Sequence, residues 1–239
     1  LILSVQALLK SGPSFDKAVR RLLMAMPDAQ LILLAGRGPV WAAQLQNRLL
    51  ELATRSGDAR SDDRVGAFSP TKNPESQDPQ RPSASLARRL SWTSRVHILE
   101  RLPAEEYAAL IVRADVVLDS FPYSGFTTSI EALALGAPVV TMDTGQMLRG
   151  SQTASLYRTI GHAFLERACV AQDEDAFHDL VMHMATDKTH RSRVRQALAR
   201  DGGGGGSGKL FERKRVIQTW LSFLHRAVRS ARLECGGGG

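Results

Sequence analysis

Residues 114–142, ADVVLDSFPYSGFTTSIEALALGAPVVTM, set two threonines and one glutamate behind a loop of proline, glycine and serine. The spacing predicts a buried strand over 116–118, a loop over 119–126, and a helix that starts at Thr127 and closes at Gly136. In an open α/β sheet, a loop leaving the carboxyl end of a parallel strand and opening onto a helix N-terminus is where ligands bind. Free N–H groups and the positive end of the helix dipole suit a phosphate there, and Thr127 and Thr128 add hydroxyl donors. Glu131 is the only charge between Asp119 and Asp143 and lies about one turn further along the same face. Two readings of it stand open: the acidic partner of Thr128 in a capping box, or an acceptor for ribose hydroxyls beside a bound nucleotide.

The elements that must position this segment show in the rest of the chain. β-rich runs at 1–5, 31–35, 96–99, 116–118 and 139–142 alternate with helical patterns at 15–26, 41–53, 105–113, 127–135 and 153–160. That alternation predicts right-handed βαβ units in a Rossmann-like, doubly wound parallel sheet. Residues 56–94 break the pattern with Asp, Ser, Pro, Arg and Gln and are read as a disordered surface insertion. Residues 201–208 form a glycine-rich linker by composition, and 236–239 look the same. Between them, Leu210, Phe211, Val216, Ile217, Trp220, Leu221, Leu224 and Val228 recur at helical spacing. They predict a terminal helix over 209–232 that packs back on a single domain spanning 1–235.

At 239 residues and 43% hydrophobic, the chain can bury one sizeable core. No run approaches the roughly 20 apolar residues of a membrane span, and the opening residues lack a signal-peptide pattern. Leu1 falls in mid-strand, so a longer parent is expected. Cys169 and Cys235 lie far apart and the second sits in a glycine tail, so neither a disulfide framework nor a cysteine-rich metal site is supported, which fits a reducing compartment. The net charge of +7 is scattered over several elements, which favours a solvated surface over a nucleic-acid face. His178, His183 and His190 are spaced five and seven apart, without the i, i+4 pair of a zinc helix, and read as helix surface. Asp173, Glu174 and Asp175 read as acids at a helix N-terminus, and Gly36-Arg37-Gly38-Pro39 as a turn into the following helix.

Within 114–142 the pattern resembles the O-GlcNAc transferase and SPINDLY-like family. A strand ending in Leu-Asp, a glycine loop, paired threonines, an acidic residue and Gly-x-Pro-Val-Val-Thr match at Asp115, Leu118, Asp119, Gly125, Thr127, Thr128, Glu131, Gly136, Pro138 and Thr141. VQALLKSGPSFD is similar to the family's strand-Lys-x-x-Pro element, and HILERLPAEEYAALIVRADVVLD to its strand, Leu-Pro loop and helix. RGSQTASLYRTIG and LFERKRVIQTWLSFL resemble the helix that follows and the terminal helix, so the likeness excludes only 56–94 and the glycine runs.

The resemblance implies the C-terminal half of a GT-B glycosyltransferase, inactive as a fragment. It implies a donor, UDP-GlcNAc first, whose N-acetylglucosamine passes to Ser or Thr of intracellular proteins. The alternatives are O-fucosyl or N-glucosyl transfer from GDP-fucose or UDP-glucose, or a non-catalytic nucleotide-sugar-binding scaffold. It further implies that Lys10 contacts the diphosphate and stabilises it as leaving group, that Thr127 and Thr128 cradle it, and that Glu131 binds the ribose. Gly125 and Phe126 belong to the same donor loop, residues 99–107 flank the base, and Tyr107 stacks on it. No metal or cofactor, no membrane, a cytoplasmic or nuclear location, and an upstream half with a tetratricopeptide array that selects acceptor proteins complete the implied picture. This chain departs from the family at Phe126 and Tyr107, where the animal enzymes carry histidines, and at Ser151, where bacterial-type relatives carry a basic residue.

Overall fold

The computed structural model describes residues 1–36, 39–54, 91–143, 145, 148–202 and 208–235. Six strands form one parallel sheet: β1 (Ile2–Ser4), β2 (Leu31–Leu34), β3 (Val96–Leu99), β4 (Val116–Leu118), β5 (Val139–Met142) and β6 (Val170–Ala171). The central strands β1, β4 and β5 are buried along their whole length, as their unbroken apolar character requires of strands covered on both faces. The helices are α1 (Pro13–Ala25), α2 (Pro39–Thr54), α3 (Ala104–Arg113), α4 (Thr127–Ala134), α5 (Gln152–Ile160), α6 (Ala163–Cys169), α7 (Glu174–Thr186), α8 (Lys188–Ala197) and α9 (Arg213–Cys235). Proline at the first position of α1 supplies the helical φ and lacks only an N–H that the first turn cannot use.

Strand order is β3-β2-β1-β4-β5-β6. The chain winds outward from β1 to β3, returns to β4 beside β1, and winds outward the other way. The carboxyl ends of β1 and β4 therefore flank the point where winding reverses, the place where such sheets open a crevice. The doubly wound parallel sheet read from the sequence is the observed fold. Strand β6 was outside that reading, because two residues carry no period.

Three boundaries differ from the sequence reading. Residues 56–90 lie outside the described residues, but 91–94, read as the end of the insertion, are part of the folded domain. Trp92 is fully buried in the core, and Thr93–Arg95 form a 3-10 turn that leads into β3. From that turn, Arg95 donates to the carbonyls of Met26 and Ala29 at 2.7 and 3.1 Å and to that of Leu23 at 2.5 Å, closing the end of α1. One large aromatic buries much area without making a periodic pattern, so periodicity missed it.

At the glycine run, Asp201 and Gly202 belong to a π-helical turn (Leu198–Gly202) and Gly202 is buried, while residues 203–207 and 236–239 lie outside the described residues. The terminal helix α9 forms over 23 residues, but its apolar stripe does not pack back on the domain. Val216 and Trp220 are 55% and 58% exposed, and Ile217, Leu221, Phe223, Leu224 and Val228 are similarly open. The preceding turn is pinned to the domain, where Lys209 Nζ donates to the Ile160 carbonyl at 2.9 Å. Helical spacing establishes an apolar face, not what covers it. No helix among the described residues is long and apolar enough to cross a membrane.

The burial of Trp92 gives a test of the boundary. Trp92→Ala is expected to lower unfolding free energy by about 3–5 kcal/mol, the range for emptying a large aromatic site. Urea denaturation measures it, and a loss under about 1 kcal/mol would place Trp92 outside the core.

Candidate functional site

Lys10 ends the 3-10 turn Leu8–Lys10 that follows β1, its N–H bonded back to the Ala7 carbonyl at 2.9 Å. Its ammonium is turned toward the loop leaving β4. Nζ donates to the Ser124 carbonyl at 3.2 Å and to Gln6 Oε1 at 3.4 Å, and lies 5.1 Å from the centre of the Tyr123 ring. Both contacts are neutral acceptors, and among the described residues no carboxylate pairs with Lys10. Lys10 and the segment 119–126, more than a hundred residues apart in sequence, thus meet at the reversal point of the sheet.

The loop 119–126 is built around Asp119, fully buried at the end of β4. Its carboxylate accepts from the Ser124 hydroxyl at 2.5 Å, the Gly125 N–H at 2.7 Å and the Thr141 hydroxyl at 2.8 Å. Burial pushes the Asp119 carboxyl above the ordinary carboxylate range, and these donors pull against that rise. Ser124 Oγ also bonds Thr153, whose hydroxyl lies 2.8 Å from Ser129 Oγ, and Ser129 accepts from Gln6 Nε2 at 3.4 Å. A continuous chain of polar contacts therefore runs from Lys10 through Gln6, Ser129, Thr153 and Ser124 to Asp119. At Gly125 an added Cβ would come within 1.9 Å of Gln6 Nε2, so the missing side chain lets that amide lie against the loop.

Helix α4 opens with Phe126 at its N-cap and no side-chain cap. The N–H groups of its first turn have no intrahelical acceptor, and the Thr127 and Thr128 hydroxyls carry no protein partner among the described residues. Phe126 is 49% exposed and has no donor of its own. The capping-box reading of Glu131 does not hold. With Phe126 at the N-cap, Thr128 is the second helical residue and Glu131 the fifth, too far along to reach back to the cap N–H. Instead Glu131 Oε2 accepts the Tyr107 hydroxyl at 2.9 Å. Tyr107 sits in the first turns of α3, and burial, together with the hydrogen bond and the charge of Glu131, raises its phenol above the ordinary range. The residues expected at ribose and base are thereby hydrogen-bonded to each other, and the other oxygen of Glu131 has no partner among the described residues.

Other readings resolve simply. Ser151 Oγ donates to Asp143 Oδ1 at 2.5 Å, and Asp143 also pairs with Arg158. Burial opposes the charge of Asp143, yet the Ser151, Arg158 and Gly145 donors hold it below the ordinary range. Asp173 caps α7 by accepting the Ala176 N–H at 2.8 Å. His178 and His183 lie on α7 and His190 on α8. His190 stacks on His183 with ring centres 3.9 Å apart and is half-buried, as is His178, so neither is fully solvated. Pro39 opens α2 as expected, while Arg37 and Gly38 lie outside the described residues. Sequence reasoning assigned no role to Gln6, Ser124, Ser129, Thr141 or Thr153. Their one signal is polarity inside apolar runs, as with Thr141 in Val139–Met142, all buried.

No protein-family model matches the chain. Over 84 residues, 35% of the chain, it is 39% identical to the probable UDP-N-acetylglucosamine--peptide N-acetylglucosaminyltransferase SPINDLY of Petunia hybrida, and that stretch is 8% of the Petunia protein. The protein of the same name from Arabidopsis thaliana is 38% identical over 84 residues, which make up 9% of it. Among solved structures, a mutant O-GlcNAc transferase from Thermobaculum terrenum superposes on 96% of this chain and 37% of that one, with a TM-score of 0.68 and 24% identity. WaaG, a glycosyltransferase of lipopolysaccharide biosynthesis, matches 84% of this chain and 41% of its own with a TM-score of 0.51 and 14% identity. At such identities the structural likeness speaks for the GT-B fold alone.

The Asp119 network carries its own test. Asp119→Ala strands the Gly125 N–H and the buried Thr141 hydroxyl, each orphan costing about 1–3 kcal/mol, while Ser124 keeps its contact to Thr153. The expected loss by urea denaturation is about 2 kcal/mol or more. A loss below about 1 kcal/mol would mean that the loop holds its shape without the carboxylate.

Proposed function

The chain is a relative of the O-GlcNAc transferase and SPINDLY-like glycosyltransferases, and on that premise we propose that it forms the donor-binding half of a GT-B enzyme. The donor is a nucleoside-diphosphate sugar, UDP-GlcNAc first, and the acceptors are Ser or Thr hydroxyls of proteins. The observation that carries this reading is the convergence, at the switch point of the sheet, of Lys10, the uncapped N-terminus of α4 and the Tyr107–Glu131 pair. Diphosphate, ribose and base need a cation with open N–H groups, a carboxylate and an aromatic face, in that order.

In this reading the diphosphate lies over the first turn of α4, within reach of Lys10 Nζ and the Thr127 and Thr128 hydroxyls. As the sugar departs, negative charge grows on the diphosphate, and donors already fixed in place stabilise it without reorganising. Lys10 is held by oxygen acceptors that leave its charge unneutralised, which keeps it available for that task. The ribose takes the open oxygen of Glu131 while the Tyr107 hydroxyl fixes the other, and the Tyr107 ring offers a face to the base. These residues bind the donor in this reading, and the acceptor side belongs to the other half of such an enzyme. A non-catalytic scaffold is the second reading, favoured by Phe126, which puts an apolar side chain at the helix entrance where a hydrogen-bond donor would serve the leaving group.

Two substitutions test the assignment by titration calorimetry with UDP and GDP. Lys10→Ala is expected to weaken nucleoside diphosphate binding by about 1.5–3 kcal/mol, the scale of a charged hydrogen bond, with thermal stability unchanged. Unaltered affinity would remove Lys10 from the site. Glu131→Gln keeps the shape and loses the charge, so affinity is expected to fall about tenfold, close to 1.4 kcal/mol. A 2′,3′-dideoxy nucleotide should bind the wild type weakly and lose little more on the variant, since both changes remove one contact. Additive losses would take the ribose away from Glu131.

A further inference from the structure

We propose that Arg149 is a second anion contact of the donor site, set opposite Lys10 on the Tyr123 loop and taking the phosphate group that Lys10 does not neutralise. The inference rests on the nucleotide-sugar reading above and adds a residue to it.

Arg149 lies in the 3-10 turn Leu148–Gly150, beyond β5. Its Nη1 donates to the Tyr123 hydroxyl at 2.7 Å, and its guanidinium carbon lies 5.8 Å from the centre of the Tyr123 ring. Lys10 Nζ is 5.1 Å from the same ring centre. The backbone repeats the arrangement: the Ser124 N–H donates to the Arg149 carbonyl at 3.0 Å, while the Ser124 carbonyl accepts from Lys10 Nζ at 3.2 Å. One residue of the donor loop is thus held from its two sides by the two basic residues.

Both cations lie beside the Tyr123 ring, and an anion bound at this loop is attracted by both. The protein supplies none among the described residues. Arg48, Arg158 and Arg191 pair with Asp16, Asp143 and Asp115, whereas neither Lys10 nor Arg149 has a carboxylate. The acids close in sequence are spent: Asp119 is buried under its own donors and Asp143 is held by Arg158 and Ser151. A guanidinium has five N–H donors in a planar fork that matches phosphate oxygens, and the contact to Tyr123 uses one of them. Tyr123 therefore orients Arg149 and leaves the rest of the fork open. The two nearby positions that could have offered a donor do not: Phe126 is apolar, and the Ser151 hydroxyl is given to Asp143. A single ammonium faces two phosphate groups, and Arg149 provides the second charge.

Calorimetric titration of the wild type, Arg149→Ala, Arg149→Lys and Lys10→Ala with UDP, GDP, UMP, GMP and inorganic pyrophosphate tests the proposal. Arg149 is exposed and its backbone contact to Ser124 survives substitution, so melting temperature is expected to stay constant. Arg149→Ala should weaken the bound diphosphate and pyrophosphate about tenfold and the monophosphate less than about twofold, with Arg149→Lys in between. Equal loss for mono- and diphosphate, or no loss for either, overturns the assignment. If pyrophosphate binds in an Arg149-dependent way and no nucleotide binds, the anion contact stands and the nucleotide-sugar reading falls. If a nucleoside diphosphate binds in a Lys10-dependent way that ignores Arg149, the reading stands and this proposal falls.

Discussion

The Asp119 carboxylate sits where β4 gives way to loop, buried from water and dependent on the groups around it for hydrogen bonds. A buried carboxylate is tolerated only when donors converge on it, and here the donors come from the loop itself and from the next strand: Ser124, Gly125 and Thr141. Satisfying one buried group therefore folds 119–126 back over the end of the sheet and sets where α4 begins. The position of its open first turn, and of the Ser124 carbonyl that receives Lys10, follows from that constraint.

A buried polar network stabilises only if each member is paired. From Asp119 the chain of contacts continues through Ser124, Thr153 and Ser129 to Gln6, and only at Lys10 does it reach the surface of the crevice. The interior is thus satisfied by protein, while the exposed end carries a cation whose partners are all neutral. Positive charge left unmatched at the end of a rigid network is what a leaving-group site requires, because the donors need no rearrangement when charge develops. The Tyr107–Glu131 bond does the same for the carboxylate, fixing one oxygen and leaving the other.

The sheet itself decides less. Structures sharing it with this chain, at 14% to 24% identity, include an O-GlcNAc transferase and a lipopolysaccharide glycosyltransferase, so topology locates a crevice without choosing its chemistry. That choice lies with side chains on two loops and one helix start. The apolar stripe on α9 is a separate matter: its exposure shows that an amphipathic pattern and a packed helix are different findings.

The sequence by itself determined the strands β1 to β5, the helices between them and the helix start at Thr127, because each rests on local pattern: short β-rich apolar runs for the strands and a period of 3.6 for the helices. It also marked Lys10, Thr127, Thr128 and Glu131, through residue types beside a loop and through resemblance. Only the tertiary structure decided that Trp92 is core, that α9 leaves its stripe open, and that Glu131 bonds Tyr107 and caps nothing. The same holds for the network that joins Lys10 to Asp119. Its links span 114 residues between Lys10 and Ser124, 123 between Gln6 and Ser129, and 24 between Ser129 and Thr153. Periodicity records which face of an element is apolar, whereas a hydrogen bond across a hundred residues exists only once the sheet has brought β1 and β4 side by side.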